Sequence, residues 1–370
     1  MNNNIDTKEV FYDLIKVSLD KAACLSRTPS EAEWSELFAT AKKQSLVGMC
    51  FAGVQKLKVQ EQSPPEMLYM QWMGMSARIQ QRNEVVNRQC AELQAKLSAD
   101  GWRSCVLKGH EAAALYSIKD EGLRINDLST LRQSGDIDVW LDGTREDVIK
   151  YVQSVSPTKT VREHHVELGV FSDTEVEVHF WPAVIRHFMK NRRLQKWFDE
   201  HREEVFAEGK PTQEFHAIQM MSHMYHHLFD SGIGLRQVMD YYFVLSAIGQ
   251  QPSAVEMRKE LYAACKHIGM ARFAAAMMYV LGVTMGLSQD LMLCEPNEKD
   301  GRFLLSEIMA GGNFGHHAEK KTRDTTNKFI SFYTGVFRNF KYLRFNPFDW
   351  FWSPLWRLYY FGWRKVNGYQ

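Results

Sequence analysis

Gly135-Asp136-Ile137-Asp138-Val139-Trp140 sets two carboxylates two residues apart in a run otherwise suited to a buried strand. Successive side chains on a strand point to opposite faces, so Asp136 and Asp138 share one face. Two unpaired carboxylates there repel each other and are costly to desolvate. A divalent cation held by both is the usual compensation. Oxygen donors suit Mg²⁺ or Mn²⁺, and Mg²⁺ commonly takes one or two protein carboxylates together with substrate phosphates. The first chemistry to expect is phosphoryl or nucleotidyl transfer.

Glu175-Val176-Glu177-Val178-His179-Phe180 alternates strictly, so Glu175, Glu177 and His179 share a face. If this strand neighbours the aspartate strand, Glu177 completes a carboxylate trio. Three carboxylates around two Mg²⁺ ions suit an in-line displacement, one ion activating the attacking hydroxyl and the other neutralising the triphosphate. Taken alone, the same pattern fits the solvated face of an edge strand. Upstream, Lys108-Gly109 ends one strand and precedes a helix. There Gly109 would admit a phosphate close to the backbone and Lys108 would meet it as a point charge. Arg132, four residues before Asp136, is placed to meet a γ-phosphate or Asp136 itself. Of His164-His165, His165 is expected to face the site, where an imidazole titrating near neutrality can contact substrate.

These residues need elements to hold them. From Lys8 to about Asp100 the apolar spacing is helical, with a cap at Ser30 and Glu33 and a long helix from Pro64-Pro65 towards Leu97. The period then changes. Strands are expected at 103–108, 136–141, 161–168 and 175–180, with helices from Glu111 and from the cap Thr144, and a long polar loop from Ser117 to Ser134. After Pro182 the pattern is helical again. The chain divides into a helical region at 1–99, an α/β core at 100–182, a helical domain at 183–330 and an aromatic-rich tail at 331–370. Four strands are too few for a doubly wound dehydrogenase sheet, and neither Gly-x-Gly-x-x-Gly nor a Walker-A loop is present.

The order Leu107-Lys108-Gly109, then Arg132-x-x-Gly135-Asp136-Ile137-Asp138, then Glu177-Val178-His179-Phe180 resembles the uncharacterised bacterial nucleotidyltransferase family of the polymerase-β superfold. The likeness runs from about Trp34 to about Leu245. It implies an α+β fold: a minimal nucleotidyltransferase core, a small mixed sheet with helices, flanked by N- and C-terminal helical segments. It implies Asp136, Asp138 and Glu177 as metal ligands and catalytic carboxylates. Lys108, Gly109, Arg132, Gly135, His165 and His179 are then the expected contacts of a nucleoside triphosphate. The superfamily's Gly-Ser phosphate hook is replaced by Lys108-Gly109.

Other features bound the function. With 370 residues and 45% hydrophobic content the chain can bury a sizeable core, and its net charge of +1 argues against a long nucleic-acid acceptor. The six cysteines include no Cys-x-x-Cys pair, which suits reduced thiols in the cytoplasm. The N-terminus lacks the regions of a signal peptide, and no apolar run reaches the ~20 residues of a spanning helix. His216, His223 and His227 follow helical spacing and are a candidate transition-metal stripe, or simply a packed helix face. Arg236 and Asp240 are spaced for a local ion pair, which would leave Arg236 without a part in nucleotide affinity. His110 and Glu111 fit first-turn contacts. The aromatic tail from Phe345 to Trp363, interrupted by Pro347, Asp349, Pro354 and Arg357, reads as a hairpin packed on the domain or as an interfacial foot.

Three functions follow. The first is a Mg²⁺- or Mn²⁺-dependent transferase moving NMP from an NTP to an acceptor hydroxyl on a small molecule, sugar or protein. The second is a non-catalytic nucleotide-binding or scaffold protein. The third is a protein peripheral to the inner membrane in envelope polysaccharide assembly, making weak membrane-surface contact through the tail.

Overall fold

The computed structural model describes residues 6–117, 128–158, 160–313, 342–343, 345 and 347–369. Helices α1 (Thr7–Ser18), α2 (Glu31–Lys43) and α3 (Val47–Lys58) lead into the 34-residue α4 (Glu66–Ala99). The capping box forms: Ser30 N–H donates to Glu33 at 2.8 Å and Glu33 N–H returns to the Ser30 hydroxyl at 3.4 Å. Gly101, at φ +84°, turns the chain out of α4 in a conformation that favours glycine.

Strands β1 (Ser104–Val106), β2 (Ile137–Leu141), β3 (His165–Glu167) and β4 (Val176–His179) form one mixed sheet in the order β1-β2-β4-β3. Only β2 and β4 run parallel. A parallel pair needs a crossover. Here it passes through α6 (Arg145–Val155), whose cap Thr144 accepts from Asp147 N–H at 3.2 Å, and through β3. The third strand is shorter than the 161–168 expected, with Val161 retained as an isolated bridge to Val166. The reason is a bend at residues 163–164, where the His164 carbonyl turns to accept from Phe180 and Trp181 N–H. Helix α5 (Lys108–Ala114) starts three residues before the expected Glu111. The long loop expected from Ser117 to Ser134 lies partly outside the described residues; within it, Leu128–Leu131 forms a 3₁₀ turn.

The sheet has two unlike faces. Ile137, Val139 and Leu141 alternate inward with Val176 and Val178, and pack between Val86, Cys90, Leu93 and Leu97 of α4 and the apolar side of α6. The other face turns towards the C-terminal helices α7 (Phe188–Glu200), α8 (Arg202–Glu208), α9 (Gln213–Leu228) and α10 (Leu235–Gly249). Trp140 anchors it there, with ring centres 4.4 Å from Phe206 and 5.5 Å from Phe215. Helices α11 (Ala254–Ile268), α12 (Ala271–Met285) and α13 (Glu298–Gly311) extend this core, which also takes in Val10, Phe11 and Leu14 of α1.

The tail corrects one expectation. Instead of a helical hairpin within Phe345–Trp363, α14 (Pro347–Val366) is one helix with Pro354 in its interior. An interior proline costs about 3 kcal/mol, and docking offsets it. Asp349 is buried and accepts from the Lys190 ammonium at 2.7 Å and from the Tyr225 hydroxyl. Trp356 donates to Glu163 at 3.1 Å, Tyr360 donates to the Val161 carbonyl at 2.8 Å, and the Arg145 guanidinium lies 3.4 Å from the Trp363 ring centre. Phe348, Phe351, Leu358 and Tyr359 remain exposed on the outside of α14. Among the described residues, no helix is long and apolar enough to cross a membrane.

Candidate functional site

The parallel register sets Asp138 beside Glu177 and Trp140 beside His179. On the far side of β4, the antiparallel register sets His165 beside His179. Asp136 stands just before β2, where the Ile137 N–H donates to the Glu175 carbonyl at 2.9 Å. The sheet therefore brings Asp136, Asp138, Glu177, His165 and His179 to one face. Asp136, Asp138, Glu177 and His165 line a cleft of about 1020 Å³ walled by α4, α5, α9 and α10, with His179 buried behind them. That is at the upper end of small-molecule sites, with room for two reactants.

Lys108 enters this acidic cluster. It sits at φ +55°, a strained setting for a residue with a β-carbon, at the first position of α5. Its ammonium is 2.5 Å from Asp138 Oδ1 and 3.8 Å from Glu177 Oε2. Burial pushes the Lys108 pKa down, but Asp138, Glu177 and Asp136 together hold it above the ordinary lysine range. Asp136 makes no hydrogen bond or ion pair among the described residues. Repulsion from Asp138, then burial, then Glu177 push its carboxyl up to about 6. Burial raises Glu177, yet the His179 hydrogen bond and the Lys108 charge outweigh it and hold Glu177 well below the carboxylate range.

His179 is fully buried. Its Nδ1 is 3.2 Å from the Trp181 carbonyl, which can only accept, so Nδ1 carries hydrogen and donates there. Its Nε2 therefore faces Asp138 Oδ1 at 2.9 Å and Glu177 Oε2 at 3.4 Å, either as an imidazolium or around a shared cation. Burial and Lys108 lower its pKa, and the bonds to Asp138 and Glu177 raise it further than they lower it. His165 Nε2 is 3.4 Å from Glu177 Oε1. Burial, and then neighbouring positive charge, hold His164 and His165 well below the usual histidine range, so both are neutral.

A divalent cation fits the donor set. One donor atom each from Asp138, Glu177 and His179 lies within 4.8 Å of the others; Asp136 lines the same cleft but stands outside that group.

Arg132 is placed differently from the sequence expectation. Rather than meeting Asp136, its Nε and Nη2 donate to the two oxygens of Asp240 at 2.6 and 2.8 Å, and the Tyr116 hydroxyl adds a third bond at 2.7 Å. The planar fork matches a carboxylate, which explains why the local Arg236–Asp240 pair gives way to this long-range one. Gly109 serves that packing: a Cβ there would stand 1.9 Å from Arg132 Nη2. Arg236 turns instead towards the cleft, donating to the Gln133 carbonyl at 3.1 Å and lying against Gly135. Asp240→Asn is expected to cost about 3–5 kcal/mol, since it leaves a buried guanidinium uncompensated. Denaturant unfolding checks this; a change below about 1 kcal/mol would show that the pair is not what holds α10 to the site.

The expected histidine stripe also divides. His216 Nε2 bonds the Lys108 carbonyl at 3.2 Å and so braces the strained residue, whereas His223 and His227 pair with each other at 2.9 Å. Asn83 of α4 escaped sequence reading. Its amide donates to the Thr130 and Arg132 carbonyls at 2.7 and 2.8 Å and accepts from Ser134 N–H at 3.3 Å, pinning the segment that delivers Asp136. The only signal for it is a polar residue on the buried side of a helix. Arg236 and His164 were missed as cleft residues because their partners are remote in sequence.

The family model described as uncharacterised nucleotidyltransferase matches residues 30–286, a stretch that contains the whole sheet and every cleft residue named above. No curated protein and no solved structure matches the chain. With a match over more than half its length, on a four-stranded mixed sheet flanked by helices, the chain belongs to the uncharacterised nucleotidyltransferase family.

Proposed function

We propose that this protein is a Mg²⁺- or Mn²⁺-dependent nucleotidyltransferase that moves NMP from an NTP to an acceptor hydroxyl. The observation that carries the reading is the parallel register that sets Asp138 beside Glu177 with Asp136 on the same face, all opening on one cleft. Asp136, Asp138 and Glu177 would hold the divalent cation, which supplies charge neutralisation on the triphosphate and activation of the acceptor hydroxyl. Lys108 and Arg236 add fixed positive charge where the phosphates would lie, and Gly135 leaves that side of the cleft open. His165 and His179 keep the Glu177 carboxylate oriented. Arg132, committed to Asp240, acts by holding Gly109 and the strand entry in place. The chain thus contributes positioning and electrostatics, which is most of what phosphoryl-type transfer requires. The cleft volume leaves room for a small-molecule, sugar or side-chain acceptor beside the nucleotide.

The cation should bind more weakly in acid. Asp136 must ionise to ligate, and its carboxyl is held at about 6. Below that pH, affinity for Mn²⁺ is expected to fall by roughly tenfold per unit. Calorimetric titration between pH 5 and 8 measures it; a flat profile across that range would remove Asp136 from the ligand set.

A second reading has one observation in its favour. The Lys108 ammonium lies against Asp138, where a cation would otherwise sit, as expected of a nucleotide binder that no longer turns over. Incubation of the full chain with each α-labelled NTP, Mg²⁺ or Mn²⁺ and a cell extract separates the two. Transfer of label with pyrophosphate release supports the enzyme; metal-dependent NTP binding without pyrophosphate release supports the binder.

A further inference from the structure

Beside the carboxylates lies a set of groups with different chemistry. One nitrogen each from His164, His165 and His179 falls within 4.8 Å of the others, and all three rings are buried. Their ring centres are 4.8, 5.0 and 5.2 Å apart. With metal–nitrogen bonds of about 2.0–2.1 Å, three imidazoles around one tetrahedral ion set their ring centres about 5 Å apart. The backbone builds this triangle from two strands: the antiparallel register opposes His165 to His179, and the His164 carbonyl accepts from Phe180 and Trp181 N–H at 3.1 and 3.3 Å.

Two details separate this cluster from ordinary core histidines. Buried polar atoms are nearly always paired, yet Nδ1 of His164 and Nδ1 of His165 have no hydrogen-bond partner among the described residues. In addition, the Nδ1–H of His179 is directed at the Trp181 carbonyl. That outer bond fixes the tautomer of a metal-ligating histidine and points its Nε2 lone pair inward.

We propose that His164, His165 and His179 form a second cation site, suited to a divalent transition metal of the Zn²⁺ type and adjoining the carboxylate site, with the one Nε2 lone pair of His179 given to this ion. Imidazole donors select such metals over Mg²⁺, which prefers oxygen. His164 and His165 also line the cleft, so the fourth position of a tetrahedral ion opens onto it and takes a water or an oxygen of a bound molecule.

The test uses full-length protein stripped with chelator, then loaded with Zn²⁺ or Co²⁺ alone. Wild type should retain about one equivalent of Zn²⁺, and its Co²⁺ form should show the intense visible bands of low-coordinate cobalt. His164→Gln should lower Zn²⁺ affinity at least about 100-fold, beyond the 10–100-fold typical of losing a supporting residue. Asp136→Asn should keep the Zn²⁺. The proposal is overturned if folded His164→Gln binds Zn²⁺ like wild type, or if Asp136→Asn loses the metal and His164→Gln keeps it. Weak six-coordinate cobalt bands in wild type would overturn it equally, without any variant. Should His164→Gln fail to fold, His165→Gln decides by the same readouts. Pyrophosphate release with Mg²⁺ in zinc-free protein is measured separately, so this site and the transferase reading can each fail alone.

Discussion

Asp136→Asn is expected to lower nucleotidyl transfer by about 10³-fold or more while making the metal-free protein more stable. The loss follows from removing one carboxylate from the cation's oxygen set, worth several kcal/mol of transition-state charge stabilisation. The gain follows from linkage. An Asp136 carboxyl raised from 3.8 to about 6 binds its proton more tightly in the folded chain than in the unfolded one. Its contribution is therefore favourable at low pH and is lost as pH rises through 6. At pH 8 the ionised side chain is a burden of about 1–3 kcal/mol. Asparagine keeps the shape and removes the charge, so the denaturant midpoint in chelator should rise. Pyrophosphate release and unfolding in EDTA, run on the same preparations, check both halves. A stability loss with unchanged transfer would make Asp136 a structural carboxylate and end the case for it as a ligand.

Lys108→Met is expected to destabilise the metal-free protein by about 3–5 kcal/mol and to recover much of that loss in Mg²⁺ or Mn²⁺. The ammonium is the internal cation of the site, 2.5 Å from Asp138 and within reach of Glu177. Removing it leaves the buried Asp138 and the partly buried Glu177 with only histidine partners for their charge. Methionine keeps the length of the side chain and the same strained φ, so the change reads the charge alone. A divalent ion that binds the vacated carboxylates stabilises only the folded state. The Tm rise on adding Mn²⁺ should accordingly be larger in the variant than in wild type. Equal rises would mean that Lys108 and the divalent ion occupy separate places.

Much of the local structure was readable from the chain. The Ser30–Glu33 box and the Thr144 cap depend on residues three apart, and both formed as spaced. The strand alternation through Asp136–Trp140 and Glu175–Phe180 named the residues that share a face, because that follows from backbone geometry within each strand. Where tertiary contacts compete with local signals, the reading failed. Pro354 sits inside α14 because buried bonds from Asp349 to Tyr360 hold the helix against the core. Arg132 left Asp136 for Asp240, 108 residues away, because a bidentate buried pair outweighs a nearby single contact.

Within one strand or one helix turn, then, the amino-acid order decided which side chains lie together: the two aspartates, the Glu177–His179 face, the caps. Only the tertiary structure decided that Asp138 stands opposite Glu177, that Lys108 rather than Arg132 enters the carboxylates, and that His164 joins His165 and His179. The reason is physical. Backbone periodicity is set by bonds between neighbouring residues, whereas partner and register are chosen by burial and charge pairing across the whole chain, where several pairings satisfy the same local pattern.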